Sequence, residues 1–359
     1  MKLLVLPGDG IGPEIIQAAM KVLDVAREQF GFSVDCIYDD VGFDSLEKYG
    51  TTLREEVLDR AKSFDGIVLG TQSHADYPAP EKGGRNVSAG FRIGLDLYAN
   101  LRPARSRSFL PTNMKPGKAM NLLIVREATE GFYPDRNMTW GWGEVMPSPD
   151  MALSTRKITR HCSERIARRA FELASTRRNK VTAVHKANSF HMTDGLFLEC
   201  VWDVARGFPE VALDDLLIDA ATAHLVRTPE RFDVIVATNL YGDIISDLAS
   251  ELSGGLGLGG AIMASDTHCC AQAQHGSAPD IAGKDIANPT SMVLSVCMLL
   301  DWIGQRQGSD ALVRCASTMS RAVDEVLSNP DTRTRDLGGQ IGTQDFAAEV
   351  AQVVLDMCD

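Results

Sequence analysis

"VLPGDGIGPE" (residues 5–14) decides the fold. A short apolar run, "KLLVL" (2–6), feeds three glycines, and a helical pattern follows. Ile11, Ile15, Ile16, Ala19, Val22, Leu23 and Ala26 recur at helical spacing, with Pro13 in the first turn and Gly31 past the end. This is the outline of a dinucleotide loop, where glycines let the backbone approach a pyrophosphate at a helix N-terminus. The spacing argues otherwise. Gly8, Gly10 and Gly12 run G-x-G-x-G and Pro13 follows, so the third glycine of G-x-G-x-x-G is missing. The ribose-binding acid due about 20 residues on is not cleanly there. Asp39 and Asp40 lie further away. The stretch therefore reads as the first strand-to-helix turn of a sheet, at a cleft edge, with the cofactor held elsewhere.

Working outward, strands and helices alternate. "DGIVLG" (65–70), "NLLIVRE" (121–127), "KVTAVHK" (180–186) and "FDVIVAT" (232–238) read as strands. Helical stretches fall near 52–62, 163–174, 193–206, 290–303, 310–328 and 344–357, and another starts at "GDIISDLASEL". The alternation means α/β with substantial parallel sheet. Residues 71–92 read as a polar loop. Residues 134–152, with Trp140, Trp142 and three prolines, read as an exposed arm or partner contact, because aromatics without helical period are poor core material.

The 359 residues suit about two domains at roughly 150 residues each. A net charge of −12 argues against nucleic acid, whose phosphates need basic patches. No stretch reaches a membrane span and no signal peptide is recognisable, so a reduced, cytoplasmic setting with free thiols is expected. Cys269 and Cys270 are adjacent; small buried residues are the plainer reading, a metal-reactive pair the other.

Four constellations offer chemistry. In "TNLYGDIISD" (238–247), Asp243 and Asp247 lie four apart at a helix start, so both carboxylates project from one face. They suit Mg²⁺ or Mn²⁺, or simply complement the helix dipole. Asp219 ends an apolar strand-like run, where α/β sites form. Arg92, Arg102 and Arg126 are guanidinium forks for a substrate with two carboxylates, or surface ion pairs. Lys186 ends a strand beside Asn188; it is a candidate base or a snorkelling strand-end lysine. Tyr133 is a proton donor or a packed loop aromatic. The loop "HGSAPDIAGKDIANP" (275–289) offers backbone N–H groups and the polar hooks His275, Asp280 and Asn288 for phosphate and ribose.

In order, GDGIGPE, LDLYANLRPAR, VRE-x-TEG-x-Y, HKAN, GDIISD and HGSAPDIAGKDIANP resemble the β-decarboxylating dehydrogenases, which act on isocitrate, 3-isopropylmalate, homoisocitrate, tartrate and D-malate. The resemblance spans about residues 2 to 357. It implies two α/β domains with mixed sheets flanked by helices, not a Rossmann fold. The discontinuous cofactor domain would be 1–97 plus 249–359, the central domain 98–248, with an arm at about 134–160. It implies a homodimer with shared active sites, no nucleic-acid or membrane partner, and a small dicarboxylate substrate.

By motif, Arg92, Arg102 and Arg126 would hold substrate carboxylates, with Ser88 nearby. Asp243 and Asp247 would ligate the metal from one subunit; Asp219 and Lys186 would come from the other. Tyr133 would be the proton donor, and Lys186, through a water or Asp219, the base. His275, Gly276, Ser277, Ala278, Asp280, Asn288 and Asn239 would serve the cofactor. Asp280 followed by Ile281 matches the NAD-preferring pattern.

The chain also departs from that pattern. Gln272-Ala273-Gln274 stands where many members read Glu-Pro-x. Ser88 and Ala89 replace two leucines of the isopropylmalate enzymes, and Asn86 falls where isocitrate enzymes place a serine. "LDLYANLRPARSR" and "SGGLGLGG" look closest to homoisocitrate-type members. The C3 substituent stays open. A non-catalytic regulatory subunit is the alternative, disfavoured by the full set of catalytic residue types. A phosphotransferase would want a Walker-type loop, and none is present.

Overall fold

A computed structural model describes residues 1–138 and 141–358 of the chain. Trp140 lies outside the described residues. The chain divides into two compact units, 1–95 with 108–111 and 256–359, and 96–107 with 112–255.

The first unit starts with β1 (Lys2–Leu6), fully buried from Leu3 onward. Burying each such side chain contributes about 1.5–3 kcal/mol. Helix α1 (Gly12–Phe30) follows; it has Pro13 in its first turn and stops at Gly31, which adopts φ +68° and donates its N–H to Arg27 O. Then come β2 (Asp35–Tyr38), α2 (Phe43–Tyr49), α3 (Glu55–Ala61) and β3 (Gly66–Leu69). Residues 71–92 are not all loop: α4 (Val87–Gly94) starts there, because the Asn86 side chain accepts from Ala89 N and caps it.

The second unit holds β4 (Ala99–Arg105), β5 (Asn121–Glu127), the hairpin β6 (Glu144–Ser148) and β7 (Met151–Ser154), and α5 (Arg160–Ser175). It continues through β8 (Lys180–His185), α6 (Thr193–Ala205), β9 (Ala212–Leu217), α7 (Ile218–Arg227), β10 (Val234–Ala237) and α8 (Asn239–Ser253). Its strands run β4-β5-β10-β8-β9. Within that run, among the described residues, only the β4–β5 pair is antiparallel, with Leu101 opposite Val125; the separate β6–β7 hairpin is antiparallel as well. β10 lies mid-sheet and is buried on both faces, hence its unbroken apolar run. Leu122, Ile124, Ile235, Leu225 and Ile245 join β5, β10, α7 and α8 in one core. The hairpin exposes Val145, Met146, Met151 and Leu153, and Trp142 beside it is exposed too.

The chain then returns to the first unit with β11 (Ile262–Ala264), β12 (Cys269–Gln272), α9 (Thr290–Gln307), α10 (Asp310–Ser328) and α11 (Thr343–Asp356). Its strands run β2-β1-β3-β12-β11, with only β11–β12 antiparallel. Cys269 and Cys270 are buried in β12. Burial pushes the Cys270 thiol up to about 12, which suits an inert core residue rather than a metal ligand. α8 stays whole in the second unit, so the break after it falls at residue 255. Among the described residues, no helix is long and apolar enough to cross a membrane.

Candidate active site

The glycine turn of residues 8–12 is clamped onto protein, not open to an anion. Asp9 N–H donates to Thr71 O at 2.7 Å, Ile11 N–H to Ser277 O at 2.8 Å, and Gly12 N–H to Asp9 O at 3.0 Å. A phosphate would need those N–H groups free. Gly10, at φ +60°, lies so close that a Cβ there would sit 2.0 Å from Ser277 O. The buried Asp9 carboxylate accepts from Phe43 N–H at 2.8 Å, Ser73 N–H at 3.0 Å and the Tyr77 hydroxyl.

In the second unit, Arg102, Arg126, Tyr133, Asp243 and Asp247 form one network. Arg102 on β4 donates through Nη1 to Asp243 Oδ1 at 3.0 Å, Ser246 Oγ at 2.8 Å and Asp247 Oδ1 at 3.2 Å. Arg126 on β5 donates through Nη1 to Asp243 Oδ1 and through Nη2 to the Tyr133 hydroxyl at 3.0 Å. Tyr133 donates onward to Asp243 Oδ2 at 3.0 Å. Arg126 is fully buried, and burial with Arg102 close by pulls its pKa down despite Asp243. Its stem passes under α8 at Gly242, where a Cβ would lie 2.7 Å from Arg126 Cβ.

Asn239, expected among the cofactor residues, is a partner of Arg126. It is fully buried in the first turn of α8. Its Oδ1 accepts from Arg126 Nε at 2.9 Å and Nη2 at 2.7 Å, and its Nδ2 donates to Glu130 O at 2.8 Å. Both ends of the amide are therefore engaged in aiming Arg126.

Lys186 follows β8 directly, and its Nζ donates to Asp219 Oδ1 at 2.7 Å. Asp219 is exposed in the first turn of α7, and the Lys186 ammonium holds its carboxyl below the usual range. Asn188 is exposed, and the lysine's partner is Asp219. Among the described residues, no three His, Cys, Asp or Glu side chains of one chain gather for a metal.

Arg92 and Ser88 belong to the first unit, one helical turn apart on α4. Arg92 Nε donates to Met263 Sδ at 3.0 Å. Ser88 Oγ accepts from Gln272 Nε2 at 2.9 Å, so a polar pair borders Arg92's helix face. In the loop 275–289, Ser277 is buried with its hydroxyl on Ser73 Oγ at 2.7 Å. Asn288 accepts from Thr290 N–H at 3.0 Å and donates to Asp336 at 2.9 Å, which fixes the start of α9. Gly276 and Asp280 are exposed, and Ala278 is half-buried at φ +37°. His275 Nδ1 sits 3.1 Å from Gly276 O, and its buried Nε2 has no partner among the described residues. Burial holds the imidazole below its ordinary pKa, favouring the neutral ring with Nε2 as an acceptor.

These residues fit the groups the sequence implies. Two carboxylate oxygens, from Asp243 and Asp247, converge on one cationic nitrogen of Arg102, a geometry a hard divalent cation also satisfies. The orphan acceptor of His275 and the exposed Asp280 carboxylate suit the donor groups of an adenine and a ribose. Sequence reading missed Ser246 and Gly242; both sit inside the quoted "GDIISD" stretch, one helical turn or less from the two acids. It also missed Arg136, whose guanidinium carbon lies 4.9 Å from the Tyr133 ring centroid; a lone Arg in an irregular segment carries no pattern.

The family model described as isocitrate/isopropylmalate dehydrogenase matches residues 2–350. The chain is 40% identical to a 3-isopropylmalate dehydrogenase of Archaeoglobus fulgidus, covering 98% of this chain and 99% of the relative. It is 39% identical to an isocitrate/homoisocitrate dehydrogenase of Thermus thermophilus, covering 98% of each. It superposes on the crystal structure of an isocitrate dehydrogenase from Methylococcus capsulatus with TM-score 0.87 at 39% identity, covering 98% of this chain and 99% of that one.

Proposed function

Since the chain belongs to the isocitrate/isopropylmalate dehydrogenase family, and so is an oxidoreductase acting on CH–OH, we propose that it oxidatively decarboxylates a 3-substituted (2R)-malate with NAD and Mg²⁺ or Mn²⁺. The observation that carries this is the single network of Arg102, Arg126, Tyr133, Asp243 and Asp247.

Bound there, a divalent cation would supply Lewis-acid polarisation of the substrate's C2 oxygen and NAD a hydride acceptor. Asp243 and Asp247 would hold the cation, with Asp219 of a partner subunit. Arg92, Arg102 and Arg126 orient the carboxylates by bidentate, charge-assisted bonds. Lys186, from that same partner subunit, would draw off the C2 hydroxyl proton through a water or through Asp219, the carboxylate to which its Nζ donates. Tyr133 gives its phenolic proton to C3 after CO₂ departs. His275, Gly276, Ala278 and Asp280 receive the adenosine end, while Ser277 and Asn288 shape the loop.

The Ser88–Gln272 pair favours a polar C3 substituent over isopropyl, since an alkyl group there would strand two hydrogen-bonding groups. A homodimer with shared sites, the exposed hairpin serving as its arm, completes the reading.

The test is NAD reduction on D-malate, tartrate, isocitrate, homoisocitrate and 3-isopropylmalate, with and without EDTA. Turnover on a polar-substituted malate that EDTA abolishes is expected. Silence on all five, or activity indifferent to EDTA, overturns the proposal.

A further inference from the structure

Arg156, just past β7, has a side chain only 5% exposed. Its guanidinium carbon lies 4.9 Å from the ring centroid of Phe132, 5.2 Å from Phe190 and 5.1 Å from Tyr241. Nη2 pairs with Asp194 Oδ1 at 2.5 Å and donates to Thr238 Oγ1 at 3.1 Å; Nη1 donates to Thr193 Oγ1 at 3.3 Å. Asp194, in the first turn of α6, is fully buried. Its other oxygen, Oδ2, accepts the backbone N–H of Lys186 at 2.6 Å. The turn between them closes on itself: Ser189 and Phe190 N–H both donate to Lys186 O, and Asp194 N–H donates to Phe190 O.

A buried ion pair is a poor way to stabilise a core, because desolvating both charges offsets their attraction. What it does supply is direction. The guanidinium fork fixes one carboxylate oxygen, so the other meets a single peptide N–H with a charge-assisted bond. The aromatic rings hold the fork in place by cation–π attraction. Through Thr238 the same guanidinium touches the residue preceding α8, which carries Asp243 and Asp247.

We propose that Arg156 is a positioning residue for Lys186: it fixes Asp194, and Asp194 fixes the peptide from which the lysine reaches Asp219. The inference rests on the reading of Lys186 as the base. Its test keeps the two separable by reading the peptide directly.

The experiment compares the unsubstituted protein with Arg156→Met, Arg156→Lys and Arg156→Ala. Backbone hydrogen exchange over residues 184–194 is read without substrate, metal or cofactor, beside melting temperature and steady-state kinetics. Arg156→Met is expected to exchange faster across Lys186–Phe190. Its kcat should fall about 10- to 100-fold with KM for substrate and NAD within about twofold, the loss that a roughly 1 Å misplacement brings. Arg156→Lys, which keeps charge without the fork, should recover only part. Millimolar guanidinium should restore part of both protection and kcat to Arg156→Ala. Unchanged exchange in a folded Arg156→Met overturns the proposal, whether or not kcat falls. If Arg156→Met does not fold, Arg156→Lys decides on the same readouts. Full turnover in Lys186→Met would sink the base reading instead, leaving the exchange result to judge Arg156.

Discussion

Asn239 meets Arg126 with one carbonyl oxygen against two nitrogens, Nε at 2.9 Å and Nη2 at 2.7 Å, both residues being fully buried. A guanidinium aimed this way keeps Nη1 turned toward Asp243. Asn239→Ala leaves Arg126 short of two bonds. A hydrogen bond to a charged group is worth about 1.5–3 kcal/mol, so kcat/KM for substrate should fall about tenfold or more. NAD affinity measured by calorimetry should stay put. A selective loss of NAD binding would return Asn239 to the cofactor.

Gly242 lets α8 lie on the Arg126 stem, where an added Cβ would meet Cβ and Cγ at 2.7 Å. Gly242→Ala should destabilise by about 1–3 kcal/mol through overpacking. That lowers Tm by several degrees in differential scanning fluorimetry, at roughly 2–4 °C per kcal/mol. An unchanged Tm would mean the helix shifts without penalty.

Lys186→Met and Tyr133→Phe remove the proposed base and the proposed acid. Each should cut kcat about 10²–10⁴-fold with substrate KM largely kept. Full activity in either variant would reject that residue's role.

Asp280 is exposed in the loop 275–289, proposed to receive the cofactor, where it would repel a 2′-phosphate. NAD should be preferred over NADP, and Asp280→Lys should move the ratio of kcat/KM toward NADP by about tenfold or more. A wild-type preference for NADP contradicts this use of the residue.

His275 carries a pKa lowered by burial. The unfolded chain therefore binds a proton that the folded ring resists. The stability tied to the neutral ring is complete above the unfolded value of about 6.5 and is lost as pH falls below it toward the folded pKa. Tm should rise between pH 5 and 7, and His275→Gln should flatten part of that rise. Parallel curves for the two proteins would show that the ring does not contribute.

Elements with a clean apolar period were legible: β1, α1, β5, β10 and α10 begin and end within about two residues of their expected limits. Those that escaped have no such period. β4 reads "ANLRPAR", with two arginines and a proline, and is a strand because it pairs with β5 along its whole length. β2 is a short edge strand, and β9, legible only as the apolar run before Asp219, is an acidic one. α4 hid in a polar stretch because one capping Asn, not periodicity, starts it. In the site, the acids and arginines were visible from residue type and spacing. The contacts of Asn239 and Arg156 were not, because both reach by hydrogen bonds to residues far off in sequence.

The hydrogen bond from Ile11 to Ser277 also sets an order of events in synthesis. β12, β11 and helices α9 to α11, which complete the sheet and cover α1, emerge only after residue 255. The leading 95 residues therefore leave the ribosome before their own partners exist. The second unit, nearly continuous in sequence, has all its strands in hand earlier. Folding during translation would thus run against the usual N-terminal-first order: a chain long enough for residue 255 to clear the ribosome would hold every strand of the second unit while the first still lacked β11, β12 and α9 to α11.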